Sequence, residues 1–259
     1  MADEVLTEQR GATRLITLNR PERLNAINEA LVVGLRDALV AANADDGTHV
    51  IVLRGSGRAF CSGEDLEDTL ERLGDEPNEA TIKAYSQTLQ DVTRRIVQSN
   101  KFVVGAIHGW AVGAGFEWAV NCDFPIWAEG ARGFFPEMRW GLFPTGGVTA
   151  LLPAIVGLTK ARELLLLGEK HTAEELLELG VAWRVVAESV LLDEAEAVAD
   201  KIAALPQRAV RDLKRTINRV CLDGLEGALE AEIEGVTDSV MDPDTWELIR
   251  EFEQKNRST

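Results

Sequence analysis

The sequence is short of cysteine, of positive charge and of long apolar runs. Its three cysteines, Cys61, Cys122 and Cys221, are odd in number, far apart and in no CxxC spacing. That argues against a disulfide framework and against a zinc site, and it fits a reducing compartment. Lys and Arg number 27 against 43 Asp and Glu, leaving a formal net charge of −16 and a pI near 4.7. Such an excess of carboxylates repels phosphate backbones at long range, so nucleic acid is not an expected partner. A nucleotide-bearing molecule would need a local concentration of Lys, Arg or backbone N–H groups. No apolar stretch is long enough to span a bilayer. Residues 1–10 are acidic and polar, without the basic-then-apolar order of a signal peptide. A cytoplasmic protein with no membrane partner is expected.

What is present is the composition of a globular enzyme, 46% hydrophobic and 27% charged over 259 residues. Residues 14–18 alternate as a strand does, and Pro21 ends that pattern by fixing φ and lacking an N–H. Residues 25–43 carry Ile27, Leu31, Leu35 and Leu39 at helical spacing. Residues 49–54, 102–109 and 124–128 are short apolar runs of the kind buried strands make. Helical stretches over 65–73, 80–98 and 112–120 lie between them, and this alternation predicts an α/β fold. Beyond Gly146 the periodicity is mostly helical, with Thr172 and Glu175 at the spacing of a capping box and one last short strand over 181–186. Helices are expected over 191–205, 206–222, 225–241 and 244–255. A composition shift near residue 200 divides the chain into a core over 1–200 and a helical segment over 201–259.

Two glycine-containing turns, over 58–66 and 108–119, each follow a buried strand and lead into a helix. Such turns leave early helix N–H groups unpaired at the positive end of the helix dipole. Two of them converging would make a two-donor oxyanion hole; either alone is also an ordinary turn. Gly113 and Gly115 do not complete a dinucleotide-binding fingerprint, because Trp118 stands where its third glycine belongs. A third segment, over 134–147, contains Pro136, Glu137, Trp140 and Gly147.

Taken with residues 18–26, 59–66, 109–123, 172–176 and 179–182, these segments resemble the crotonase, or enoyl-CoA hydratase/isomerase, family over essentially the whole chain. The resemblance implies a ClpP-like spiral of repeated ββα units followed by a C-terminal helical segment. It implies an acyl-CoA thioester as the partner bound, with coenzyme A carried by the substrate and neither a separate cofactor nor a metal. The backbone N–H groups of Ser62 and Ala114 take the places of the oxyanion donors, although many family members have glycine where Ala114 stands. Glu117 and Glu137 take the places of two catalytic carboxylates, and retention of both matches the hydratase pattern. Ala59, Cys61, Gly63, Asp65, Leu66, Gly113 and Trp140 fall on the family's substrate-binding segments, Asp65 as a brace for its turn. Arg23, Leu24 and Ala26 are expected to line the entrance, and Lys255 resembles a lysine that reaches the CoA phosphates. Family members assemble as trimers or dimers of trimers, and Leu213, Ile217, Val220 and Leu225 are compatible with such a homo-oligomer.

The two carboxylates suit the addition of water across the C2=C3 bond of a 2-enoyl-CoA. Charge on the thioester oxygen must be held as enolate, water must lose a proton and C2 must gain one. Glu117 is assigned to the water and Glu137 to C2. A delta isomerase would need only Glu137, to move a proton between C4 and C2. Related decarboxylases, dehalogenases and hydrolases usually replace one or both glutamates. A non-catalytic acyl-CoA-binding protein would have no use for either. His108 has the position of a packed, hydrogen-bonded histidine, and Cys61 has no neighbouring histidine to make it a nucleophile. Trp118 and Trp140 either narrow an acyl pocket or fill core, and the segment over 74–78 bears on pocket depth.

Overall fold

The computed structural model describes residues 3–74 and 78–249. Strands β1 (Val5–Arg10) and β2 (Thr13–Leu18) form an antiparallel hairpin, and helix α1 (Glu29–Ala44) follows, capped by the Asn28 side chain on the Leu31 N–H at 2.9 Å. Strand β3 (Val50–Gly55) leads through the first glycine turn to α2 (Leu66–Leu73), and then to α3 (Glu79–Val97). Strands β4 (Phe102–Ile107) and β5 (Trp110–Val112) lead through the second turn to α4 (Ala114–Asn121). Strands β6 (Phe124–Ala128) and β7 (Arg132–Phe134) precede a 3-10 turn over Glu137–Trp140. Then come α5 (Val148–Val156), α6 (Leu158–Leu167), β8 (His171–Thr172), α7 (Ala173–Glu178) and β9 (Arg184–Val186). Helices α8 (Leu191–Ala203), α9 (Gln207–Cys221) and α10 (Leu225–Met241) complete the labelled elements. Residues 243–249 are also helical, and the expected terminal helix beyond them lies outside the described residues.

The strands make two sheets. One has six strands in the order β1-β2-β3-β4-β6-β9, parallel except for the β1–β2 hairpin; the other has the order β5-β7-β8. The chain crosses from the large sheet to the small one and returns by way of helices. β4, β5 and α4 make one such unit, and β6 and β7 begin the next. Residue Cys61 bridges Ala111 in parallel fashion and gives β3 the same partner in the second layer. The expected repeat of ββα units is therefore present. The buried run of β3, with Val50, Ile51, Val52 and Leu53 fully covered, sits at the middle of the large sheet. Helices α1 and α3 bury Leu31, Leu35, Leu39, Val92 and Ile96 in the same main core. A second, smaller hydrophobic cluster stands apart, made of Ile82, Val236, Val240 and Trp246 with Leu70, Leu73, Leu142 and Phe143 against it. No helix among the described residues is long and apolar enough to cross a membrane.

Several elements depart from their expected bounds. The helix expected over 25–43 starts only at Glu29, because Leu24 and Asn25 hold φ values of +52° and +55°. Asn25 tolerates that conformation better than most residues, and its side chain is committed elsewhere. Its Nδ2 donates to the carbonyls of Ser56, Ala59 and Phe60 at 2.8–3.1 Å, and its Oδ1 accepts the Arg20 N–H at 2.8 Å. The strand expected over 181–186 shrinks to Arg184–Val186, since the Val181 and Ala182 amides donate to Leu176 O. Leu225, expected on an assembly face, is core at 2% exposure, whereas Leu213, Ile217 and Val220 on α9 are 56%, 48% and 70% exposed. The C-terminal helices also bind the core directly: Gln90 Nε2 donates to Leu229 O at 2.7 Å, and Arg94 pairs with Glu226 at 3.0 Å.

Replacing Asn25 by alanine removes donors from three carbonyls at once and puts a residue less suited to positive φ in its place. The expected loss is ~2–4 kcal/mol, read as a lower urea midpoint at unchanged slope; an unchanged midpoint would show that those carbonyls find other donors.

Candidate active site

Backbone pairing sets the first relation. Phe60 N–H donates to His108 O at 2.9 Å, Cys61 N–H to Trp110 O at 3.0 Å, and Val112 N–H to Cys61 O at 3.0 Å. This short ladder lays the two glycine turns side by side and starts α2 and α4 on one cavity of about 850 Å³. The cavity is lined by the turns, by one face of α2 and of α3, by residues 142–145, and by Val236 and Val240 of α10.

The Ala114 N–H is the first of α4, so it precedes any intrahelical acceptor. It has no main-chain partner among the described residues. The Ser62 N–H donates to Leu24 O at 3.1 Å. Both residues line the cavity, as do Arg23, Leu24, Ala26, Gly63, Asp65, Leu66, Gly113 and Trp140. Ala59 and Cys61, expected among the substrate contacts, do not reach it. They are fully buried beneath the turn, where the backbone ladder turns them into the core. The Cys61 thiol donates to Asn25 O at 3.1 Å, and burial pushes its pKa up to about 12, so it is no nucleophile. Trp118 is likewise core at 1% exposure, leaving Trp140 as the tryptophan of the pair on the cavity wall.

Glu117 lies in the first turn of α4 and is 2% exposed. Its Oε1 accepts the Thr145 N–H at 3.1 Å. Gly146 passes so near that a Cβ there would stand 2.3 Å from Glu117 Oε2, so a side chain at that position would displace the carboxylate. Burial raises the Glu117 pKa well above the usual range, and the charges of Glu137 and Glu232 add to this against the Gly146 and Thr145 amides. Glu137 opens the 3-10 turn after Pro136. It faces the start of α4, where a Cβ on Gly113 would stand 2.8 Å from its Oε1. Its Oε2 is shut away with no hydrogen-bond partner. Burial is the main cause that pushes its pKa up to about 7, and the charge of Glu64 adds to it.

The loop that supplies the Thr145 amide is itself held from the C-terminal segment. Glu232 of α10, 1% exposed, accepts the Gly147 N–H at 2.7 Å, the Thr149 N–H at 3.0 Å and the Thr149 hydroxyl at 2.7 Å. Asp65 braces its turn: it caps α2 and pairs with Arg20 at 3.1 Å. Arg23 is held by Glu67 at 2.6 Å, at the mouth of the cavity. His108 is packed and bonded to Gly57 O at 3.0 Å. Lys255, expected at the CoA phosphates, lies outside the described residues. Sequence reasoning passed over Glu64, Arg72, Tyr85 and Glu232. Glu64 stands inside the quoted turn between Gly63 and Asp65, and Tyr85 is the only tyrosine in the chain.

The family model for enoyl-CoA hydratase/isomerase matches residues 8–257. The chain is similar to the 1,2-epoxyphenylacetyl-CoA isomerase of Escherichia coli (strain K12), at 33% identity over 90% of this chain and 88% of that protein. It is similar to a probable enoyl-CoA hydratase of Rhizobium meliloti (strain 1021), at 36% identity over 84% of this chain and 82% of that one. The fold matches the crystal structure of an enoyl-CoA hydratase/isomerase from Mycobacterium paratuberculosis with a TM-score of 0.89. That match has 30% identity and covers 97% of this chain and 99% of the other. The architecture is thus the crotonase α/β fold with a helical C-terminal part.

The raised carboxylates carry a pH signature. Glu137 moves from 4.5 when free to about 7 when folded. Between those values the folded protein keeps a proton that the unfolded chain has released, so stability falls as pH rises across the window and stays low above it. Glu137→Gln should therefore flatten the decline of melting temperature between pH 5 and 8. At pH 8 it should gain on the order of 1 kcal/mol, or ~2–4 °C for a chain of this size. Parallel melting curves for the two proteins would mean that Glu137 titrates near its ordinary value.

Proposed function

The chain belongs to the enoyl-CoA hydratase/isomerase family, and on that premise we propose that it adds water across the C2=C3 bond of a 2-enoyl-CoA thioester to give a 3-hydroxyacyl-CoA. The observation that carries this reading is the pair of carboxylates, buried Glu117 and half-buried Glu137, on one cavity wall beside the free start of α4. The thioester oxygen accepts the Ala114 N–H and takes the Ser62 N–H over from Leu24 O. As the enolate forms, negative charge develops on that oxygen, and each such donor is worth ~3 kcal/mol to the transition state. Thr145 holds one oxygen of Glu117, which leaves the other to orient a water and take its proton. Glu137 delivers a proton to C2. The pair needs one proton between them, and the reactive form has Glu117 ionised and Glu137 protonated. Arg23 and Leu24 receive the CoA portion at the mouth.

A second reading is favoured by the family itself, whose description names isomerases beside hydratases. In it, Glu137 alone carries the proton between C4 and C2, and Glu117 is dispensable. The exposed Leu213, Ile217 and Val220 also support assembly with further copies of the chain, as a trimer or a dimer of trimers.

Hydration of crotonyl-CoA, followed as loss of the conjugated enoyl-thioester absorbance, tests the reaction. Glu117→Gln and Glu137→Gln should each lower the rate by ~10²–10⁴-fold. Full hydration by Glu117→Gln would sink the role given to Glu117, and 3-enoyl-CoA isomerisation surviving in that variant would establish the second reading. For assembly, light scattering is expected to give a multiple of the 28.3 kDa chain mass, and a single-chain mass under dilute native conditions would overturn it.

A further inference from the structure

One face of α10 carries Leu225, Leu229, Glu232, Val236 and Val240, all of them buried. Four of these are what a packing stripe at helical spacing requires. Glu232 interrupts the stripe at 1% exposure, where a leucine would fill the space without the cost of desolvating a carboxylate. Its charge also raises the Glu117 pKa, so what it contributes to that group is geometric.

The contribution is a cap that the neighbouring sequence lacks. Gly147 is the N-cap residue of α5, holds a φ of +84° and has no side chain to bond the first N–H groups of that helix. Leu225, Thr93 and Leu229 close the position to larger residues, since a Cβ there would stand 3.1–3.4 Å from them. Glu232 supplies the cap from another helix. Its Oε2 accepts the Gly147 N–H, and its Oε1 accepts both the N–H and the hydroxyl of Thr149. A carboxylate also suits the positive end of α5. The preceding residue is pinned as well: Gly146 O accepts the Thr93 hydroxyl at 2.9 Å and Asn121 Nδ2 at 3.1 Å. Helices α3, α4 and α10 thus hold residues 146–149 between them. The Thr145 N–H, just ahead of the pinned segment, goes to Glu117 Oε1 at 3.1 Å. Gly146 lies so close to the same carboxylate that the segment cannot shift without moving it.

We propose that Glu232 is a positioning residue for hydration: by capping α5 from α10 it holds residues 145–149 where the Thr145 N–H aims the Glu117 carboxylate at the water. This rests on the hydratase reading of Glu117. Val236 and Val240, one and two turns further along α10, line the cavity. One helix therefore carries part of the cavity wall and the hold on the proposed base.

A double-mutant cycle on crotonyl-CoA hydration tests it, with rates taken on the pH plateau so that the lost charge does not enter. Glu232→Gln keeps the shape but has one carbonyl oxygen in place of two acceptors. It is expected to lower kcat ~10–100-fold, while affinity for butyryl-CoA, a saturated and unreactive analogue, stays within about twofold by calorimetry. In a Glu117→Gln background the same change is expected to cost about twofold or less, because the group it positions is already gone. An equal loss in both backgrounds, or a matching loss of butyryl-CoA affinity, would make Glu232 a support of the fold only and overturn the proposal. An unchanged rate in Glu232→Gln would also overturn it. Should that variant not fold, Thr149→Val removes one of the three bonds and carries the same cycle. A ~3-fold loss is then expected with Glu117 present and none beside Glu117→Gln; no loss, or the same loss in both, would overturn the role. These outcomes leave the proposed function standing, whereas absence of hydration in the wild type would overturn that function and this role with it.

Discussion

Three main-chain hydrogen bonds between residues 60–61 and 108–112 decide where the chemistry stands. They continue the parallel order of β3 and β4 into the second layer and fix the two glycine turns against each other. The turns in turn set the first residues of α2 and α4, and with them Asp65, Ala114 and Glu117. A site assembled from backbone pairing needs little from its side chains in order to hold its shape. That is why Ala59 and Cys61 are free to be core, and why the proposed oxyanion donors can be main-chain amides. Asn25 serves the same end from the other side, since its amide ties the entrance segment to the carbonyls of the first turn.

The second constraint is electrostatic. Glu64, Glu117 and Glu137 face one cavity, and burial raises the proton affinity of all three. In water such groups would be ionised at neutral pH and poor as acids. Here the scarcity of donors is the device: Glu117 receives the Thr145 amide on one oxygen, and Glu137 keeps one oxygen with no partner. Under the proposed hydration, one holds a proton while the other gives it up. Glu232 adds charge to the same field while holding the loop that supplies the Thr145 amide. The C-terminal segment therefore helps to shape the candidate site.

Much of this was legible in the residues. Alternating apolar runs identified the large sheet, and the capping pair Thr172 and Glu175 marked α7. The order of three motif segments located Glu117, Glu137 and the two turns. Strands β5, β7 and β8 are two or three residues long, too short for any period to show, and β1 is polar because it lies at the edge of the sheet. The start of α1 was misjudged because apolar spacing cannot reveal that Asn25 uses its amide on another segment. Glu64 escaped notice for a related reason: sequence shows a glutamate in a turn, and only the arrival of Tyr85 from α3 shows that it is half-buried on the cavity wall. Leu225 differs from Leu213 and Ile217 only in which neighbour covers it, a property of packing rather than of residue type.

The small hydrophobic cluster around Ile82, Val236, Val240 and Trp246 is separate from the main core. Its Ile82, Val236 and Val240, with Leu73, Leu142 and Phe143, wall one side of the cavity, whereas the main core carries the sheets and the two glycine turns. Under the proposed function, foldability and substrate preference are therefore written in different sets of residues. A lineage can exchange side chains in the small cluster and drift from one acyl group to another while the large core conserves the architecture. Such separation makes one scaffold a reservoir for new thioester specificities, each reachable by a few substitutions that leave the reactive backbone in place.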